Sequence, residues 1–532
     1  MPKVDVAILG GGLAGNLLAL QLRKHTPSVS VAVFEKNIER GYKVGESTVE
    51  VATHYLIRRM GLSTYTYKEH LPKNGLRFFF DTPERDSQLT DMSEIGVDAL
   101  PPYPSFQLDR ARLERDLIEM NRAAGVDMHL PAEVSDLQLS SDGGLHRFQV
   151  KEDRAGAPES SAWEARWVVD TTGRPGLVAK ARDLRIPEPS HHIAASWARM
   201  TGVLDMDAIH APEWQRRARW TSRMLSTTHF MYEGYWIWFI PLREGITSVG
   251  IVTDKSQWDR GMAREEGFRA FINKHAAPGA MIADAKMIDI GAYNQLAFRT
   301  KRFFSGEERW ACVGDSAAFT DPFYSPGSDF IAIENDFVAD LITRDHAGEA
   351  SEAVSTRADL YDAFIKYRFE TTMAIYDGLY ETFGSYELFR AKIFFDTALY
   401  YNLIFDAYTC DLHLDEKWLR GELRRKEWGL QTMQNFRALF RRCAQELRER
   451  GQYHSGNQGK YSLDGRSTFG VLEPVGYPRK RRQVNARSEE VFGRTQKMLR
   501  EIFGDDTAFL DEVLKGERDM FDAWTQLGTD EE

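Results

Sequence analysis

The sequence predicts an α/β fold: a Rossmann-like domain interleaved with a second β-sheet, followed by a helical C-terminal region. Three observations predict it. A strand, a glycine turn, a helix and a second strand open the chain. Strand-rich segments and helices then alternate as far as about residue 345. From about residue 350 the pattern is helical and unusually aromatic.

The opening unit is the most explicit. Val4–Leu9 reads as a buried strand, Asn16–Lys24 as a helix, and Val29–Phe34 as a second strand ending at Glu35 and Lys36. Between the first two lies Gly10-Gly11-Gly12-Leu13-Ala14-Gly15, a GxGxxG turn. Glu35 stands twenty residues after the last of its glycines. Gly10 suits a tight turn, Gly12 lets a pyrophosphate approach the backbone, and Gly15 lets helix and strand pack closely. The turn, with Leu13 and Ala14, presents the helix N-terminus to phosphate. Glu35 can accept hydrogen bonds from a ribose.

β-Branched and aromatic content predicts further strands at Gly75–Asp81, His146–Val150, Trp167–Asp170, His192–Met200, Tyr235–Leu242 and Thr247–Thr253. Helices are expected at Arg110–Ala124, Arg264–Lys274 and Ser328–Thr343. Residues 361–408 hold fifteen Phe and Tyr in 48 positions, more than twice the chain's 12% aromatic content. Tyr376, Tyr380 and Phe383 recur at helical spacing, as a core stripe or as the roof of a substrate chamber. Residues 452–488 read as an irregular loop, with Arg479–Arg482 a solvated charge run. The expected division is 1–185 with 280–345 as a discontinuous dinucleotide-binding domain, 186–279 as a substrate-side sheet, and 346–532 as a helical region.

Composition narrows the function. The 532 residues carry 68 basic and 79 acidic side chains, a net charge of −11, which disfavours a nucleic-acid partner. The three cysteines, Cys312, Cys410 and Cys443, have no disulfide or metal-ligand spacing, so no metal site is expected. No apolar run reaches the roughly 18 residues of a membrane span. The expectation is a cytoplasmic enzyme.

Several separated segments suit a flavin better than a nicotinamide. Asp170-Thr171-Thr172-Gly173-Arg174 follows a strand, as a turn pressed on an adenine dinucleotide would. Gly314-Asp315 ends another, where the carboxylate could bind ribityl hydroxyls. Arg110 could lie across the dinucleotide. A nicotinamide domain would be largely contiguous, whereas these segments are spread from residue 10 to residue 315.

On these motifs the sequence resembles the flavin-dependent halogenases, a branch of the FAD-binding Rossmann-like (GR2, aromatic-hydroxylase-like) fold. Trp236-Ile237-Trp238-Phe239-Ile240-Pro241 matches WxWxIP in full. Phe319 to Gly327 matches FxxPxxSxG through Pro322, Ser325 and Gly327. Gly45-Glu46-Ser47 matches a segment close to the flavin, and Lys73 stands where the family carries a catalytic lysine.

The resemblance implies that a separate flavin reductase supplies reduced FAD. Chloride or bromide is then oxidised with O2 to hypohalous acid, which Lys73 delivers to an electron-rich carbon. It implies Lys73 and Ser325 as catalytic residues and Gly327 and Ser328 as the halide site. It implies Gly10, Gly12, Leu13, Ala14, Gly15, Glu35, Lys36, Glu46, Ser47, Arg110, Gly173, Asp315 and Gly327 as cofactor-binding. Trp236 and Trp238 would separate substrate from flavin.

Two departures matter. Tyr324 replaces the Glu of tryptophan-specific members, which directs the reading to a phenol- or pyrrole-like substrate, free or tethered to an acyl carrier protein. Pro326 removes one backbone donor from the halide turn, which keeps open a halogenase-like monooxygenase or dehydrogenase.

Overall fold

The computed structural model describes residues 1–37, 41–154, 157–188, 190–463 and 475–510. Among these the strands form two large sheets. The centre of the first is parallel. The strand Lys3–Leu9 pairs with Val31–Phe34 on one side and with the end of Ala157–Asp170 on the other. Asp127–His129 and Trp310–Cys312 extend it in parallel at the two flanks. Helices cover the sheet, so Val6, Ala7, Ile8 and Leu9 are fully buried and consecutive apolar residues are required there. The covering helices include Leu13–His25 and Gly327–His346, which contact each other. The strand ends at Leu9, Phe34, Asp170 and Cys312 therefore share one edge, where a doubly wound sheet places its ligands.

The second sheet is mostly antiparallel. Its order is Lys286–Tyr293, Ile193–Thr201, Ile246–Asp254, Tyr235–Pro241, Thr227–Tyr232, Leu76–Phe80, Ser93–Gly96 and Tyr461–Leu463. The expected limits of 186–279 are too narrow for this sheet. Strands from near residues 76, 93, 286 and 461 all join it, because pairing is set by register and burial rather than by chain order. Three of these four lay outside the strands expected from the sequence; only Leu76–Phe80 had been foreseen.

The C-terminal helices share the second sheet's core. Phe389, Phe395, Phe436, Phe440 and Phe492 pack in one buried cluster with Phe78, Trp236 and Phe323. Two expectations change here. The helix Ser351–Ala374 ends before Tyr376, so Tyr376, Tyr380 and Phe383 do not share one helix face. All three are nonetheless buried in that cluster. The segment 452–488 is only partly irregular: Tyr461–Leu463 is a strand, and a helix runs over Arg481–Phe503. Residues 464–474 of that expected loop lie outside the described residues.

The basic run is solvated only in part: Lys480 and Arg482 are exposed, and Arg479 and Arg481 are not. Arg479 is buried against Asp406, with Nη2 to Oδ2 2.7 Å, and also donates to Asn402. A long chain neighbour makes this possible, because Asp406 comes from the far end of the aromatic helical segment. Among the described residues no helix is long and apolar enough to cross a membrane.

Candidate active site

Two cavities meet between the sheets. The larger, about 610 Å³, opens at the strand ends of the first sheet. It is lined by Gly10, Gly12, Leu13 and Ala14 of the glycine turn, by Glu35 and Lys36, and by Glu46, Ser47 and Arg110. Gly173, Asp315, Ser325, Gly327 and Ser328 line it too. Gly15 does not. A Cβ there would strike the Gly10 carbonyl and the Thr171 hydroxyl, so its role is packing.

The glycines divide by what surrounds them. Gly10, at φ +104°, lies hard against the Thr171 backbone, which forces both its conformation and its lack of a side chain. Around Gly173 there is open space instead, and at Gly12 only the tip of the Lys43 side chain comes near, 4.0 Å from where a Cβ would lie; both glycines line the cavity, so a ligand can reach their backbone. Glu35 accepts from the Gly11 amide at 2.7 Å and the Asn37 amide at 2.9 Å, which locks the turn to the second strand. Arg110 pairs with Glu114 at 2.5 Å and is held against the Val44 carbonyl. Burial pushes the Asp315 carboxyl up, and Arg174 opposes that rise. Glu46 is buried in an ion pair with Arg199, Nε to Oε1 2.7 Å. An extended cavity with bare backbone at the turn, a carboxylate at the second strand and another at the strand after Cys312 fits an FAD.

The turn at Phe319–Gly327 closes one end. Ser325 adopts φ +58° and its amide donates to the Pro322 carbonyl. Pro326 begins the helix Gly327–His346 and accepts from the Asp329 and Phe330 amides. The amides of Gly327 and Ser328 have no acceptor among the described residues, and both residues line the cavity. Pro326 thus removes one donor but leaves two at a helix N-terminus.

Trp236 and Trp238 line the same cavity, with ring centres 5.6 Å apart. Each is held in place. Trp236 Nε1 donates to the Tyr380 hydroxyl at 3.0 Å, and that hydroxyl donates to Asp321, which also contacts His191. Trp238 lies over Gly250 of the next strand, where any Cβ would overlap its ring. Sequence reading missed Gly250 and Asp321, and it named Tyr380 only as part of a helical stripe; the usable signal was a glycine set in an otherwise β-branched strand.

The second cavity, about 230 Å³, lies on the other side of Pro326 and Phe330, which line both. None of the residues lining it is exposed. Lys73 stands in its wall, 3% exposed. Its Nζ donates to the Thr48 carbonyl at 2.8 Å and to Ser47 Oγ at 2.9 Å, and Ser47 lines the larger cavity. Burial lowers the amine to about 8, while Glu50 and Asp329 hold it from falling further. Asp329 accepts from the Ala52 amide and the Tyr400 hydroxyl, and burial raises it to about 7. The Tyr401 hydroxyl donates to Glu50 at 2.6 Å. Tyr400 and Tyr401 reach these carboxylates because their helix widens to π geometry over Tyr400–Phe405.

The carboxylate missing at position 324 has a counterpart. Tyr324 donates to Asp396, which also pairs with Lys392 at 2.5 Å and lines the chamber. Glu50, Asp329 and Asp396 were all missed, since an isolated acid in a helical sequence reads as surface.

The geometry can be set against known proteins. A family model described as FAD binding domain matches residues 3–333, more than half of the chain. The chain is similar to the flavin-dependent halogenase chlA of Dictyostelium discoideum, 26% identical over 437 residues, covering 77% of this chain and 71% of that one. It is also similar to the 1H-pyrrole-2-carbonyl-[peptidyl-carrier protein] chlorinase of Pseudomonas fluorescens, 27% identical over 350 residues, covering 61% and 72%. Among solved structures, the halogenase PltM superposes with a TM-score of 0.66 at 17% identity, covering 92% of this chain and 96% of that one.

Proposed function

The chain belongs to the FAD binding domain family, and on that premise we propose that it is a flavin-dependent halogenase acting on a free, electron-rich aromatic. The observation that carries this reading is the placement of Lys73: a buried amine in the wall of a second chamber, bonded to a serine that lines the flavin cavity. When bound and reduced by a separate reductase, FAD would give O2 two of its four electrons, halide giving the other two and becoming hypohalous acid.

The chain's own residues then do four things. The glycine turn, Glu35, Arg110 and Asp315 hold the dinucleotide. The free amides of Gly327 and Ser328 hold the halide at the helix N-terminus. Trp236 and Trp238 exclude the substrate ring from the flavin side. Lys73 uses two donors on Ser47 and Thr48 and offers the third to hypohalous acid. In the transfer step a carbon–halogen bond forms and the halogen–oxygen bond breaks. The departing hydroxide takes a proton from Lys73 and leaves as water. The ring proton goes to Asp329 or Glu50.

The chamber's small volume, about 230 Å³, and its aromatic lining support a small free substrate over a carrier-tethered one. The test supplies FADH2, O2 and chloride or bromide with a panel of phenols and pyrroles. The expected result is halogenated product from wild type and none from Lys73→Met, with FAD content equal in both. Oxygenated product without halogen would replace this reading with the monooxygenase one.

A further inference from the structure

One cation in the chamber is not used by this chemistry. Arg368, on the helix Ser351–Ala374, lines the chamber. Among the described residues it has no ion-pair partner. Its one hydrogen bond runs from Nη1 to Thr371 Oγ1 at 3.4 Å, and Nε is buried without an acceptor. Burial disfavours its charge, and the carboxylate it feels most, Asp329, already accepts from Ala52 and Tyr400.

Its surroundings are cationic as well. Arg425 and Arg481 line the same chamber, and Glu422 is the carboxylate that pairs with both. Tyr367 stands within the field of all three guanidinium groups, with its hydroxyl packed over Gly429. Glu370 is close to this corner but is shared by Lys426 at 2.7 Å and Arg299 at 3.4 Å. A half-buried guanidinium that makes no ion pair among the described residues is poised for a ligand's carboxylate to complete it.

We propose that Arg368 is the anchor for a carboxylate on the aromatic substrate, so that the chamber selects a free aromatic acid over a neutral phenol. This rests on the halogenase reading and names its substrate class. The planar fork of Arg368 suits a carboxylate's two oxygens, and aromatic walls of the chamber hold the ring while Lys73 addresses a carbon. A carrier-bound thioester has lost that carboxylate and would leave Arg368 unpaired.

The test measures equilibrium binding to the FAD-loaded, oxidised enzyme, without turnover. The ligands are 2,4-dihydroxybenzoate, its methyl ester and resorcinol. The expected result is that the acid binds at least about tenfold tighter than ester or resorcinol. Arg368→Met should erase that preference, and Arg368→Lys should keep part of it. Equal binding of acid and ester in wild type overturns the proposal without needing any variant. So does an Arg368→Met enzyme that keeps the preference. In a separate turnover assay with FADH2, O2 and halide, absence of halogenated product from every ligand would sink the halogenase reading while leaving the binding preference readable.

Discussion

At the scale of single residues, the site runs on pairs whose surroundings push their proton affinities together. Lys73 is lowered to about 8, first by burial, and Asp329 is raised to about 7, first by burial. In the proposed transfer step the lysine is protonated to release water from the halogen donor, and the aspartate is ionised to take the ring proton. Product formation should therefore fall as pH drops below about 7 and again as it rises past about 8. Asp329→Asn should remove the acid limb and slow halogenation by about a hundredfold. Single-turnover rates from pH 6 to pH 9 check both. A rate that keeps rising above 8 would mean that the neutral amine carries the halogen. The same shifts act on stability. A lowered lysine costs the fold most below pH 8, by about 3 kcal/mol for a shift of that size. The Lys73→Met enzyme of the activity test should for that reason melt higher at neutral pH, which guards against reading its inactivity as unfolding.

At the scale of elements, a glycine decides the position of a tryptophan. Gly250 on Ile246–Asp254 pairs opposite Trp238 on Tyr235–Pro241, and the ring occupies the space a Cβ would need. Gly250→Val should swing Trp238 off the strand and reshape the larger cavity that it lines, where it is proposed to keep substrate from the flavin. The measurable outcome is uncoupling: more hydrogen peroxide per halogenated product, with FAD still bound. An unchanged ratio would show that Trp238 does not separate the two spaces. The element scale is also where sequence reading divides. The GxGxxG unit was legible because strand, turn and helix each impose a local rule that Gly10, Gly12, Gly15 and Glu35 obey together. The helix Gly327–His346 was legible for the same reason. The strands Ser93–Gly96 and Tyr461–Leu463 were not, because short edge pairings come from distant partners and leave little periodicity.

At the scale of the whole molecule, the C-terminal helices roof the chamber rather than hang from the flavin domain. Their attachment depends on buried polar pairs as well as on aromatic packing. Asp406 holds Arg479 and the Gly476 amide, while Asn402 reaches Val484 and Ser488. Asp406→Ala leaves the Arg479 guanidinium buried without its carboxylate, a loss of about 3–5 kcal/mol. The expected signature is a lower melting temperature and a raised KM for aromatic substrate, since Arg481 of the next helix lines the chamber, with FAD affinity retained. An unchanged KM would mean that the roof is set by the aromatic core alone. The amino-acid sequence by itself determined the dinucleotide unit and the order of its strand, glycine turn, helix and acid, whereas Lys73, the two tryptophans and the halide turn entered only through the family resemblance. That unit follows from local spacing. Tertiary structure decided that Glu50, Asp329, Asp396 and Arg368 share a chamber with Lys73, because they arrive from segments up to about 346 residues apart. Only folding brings such charges together, and only burial gives them the shifted proton affinities and unpaired valences from which their chemistry follows.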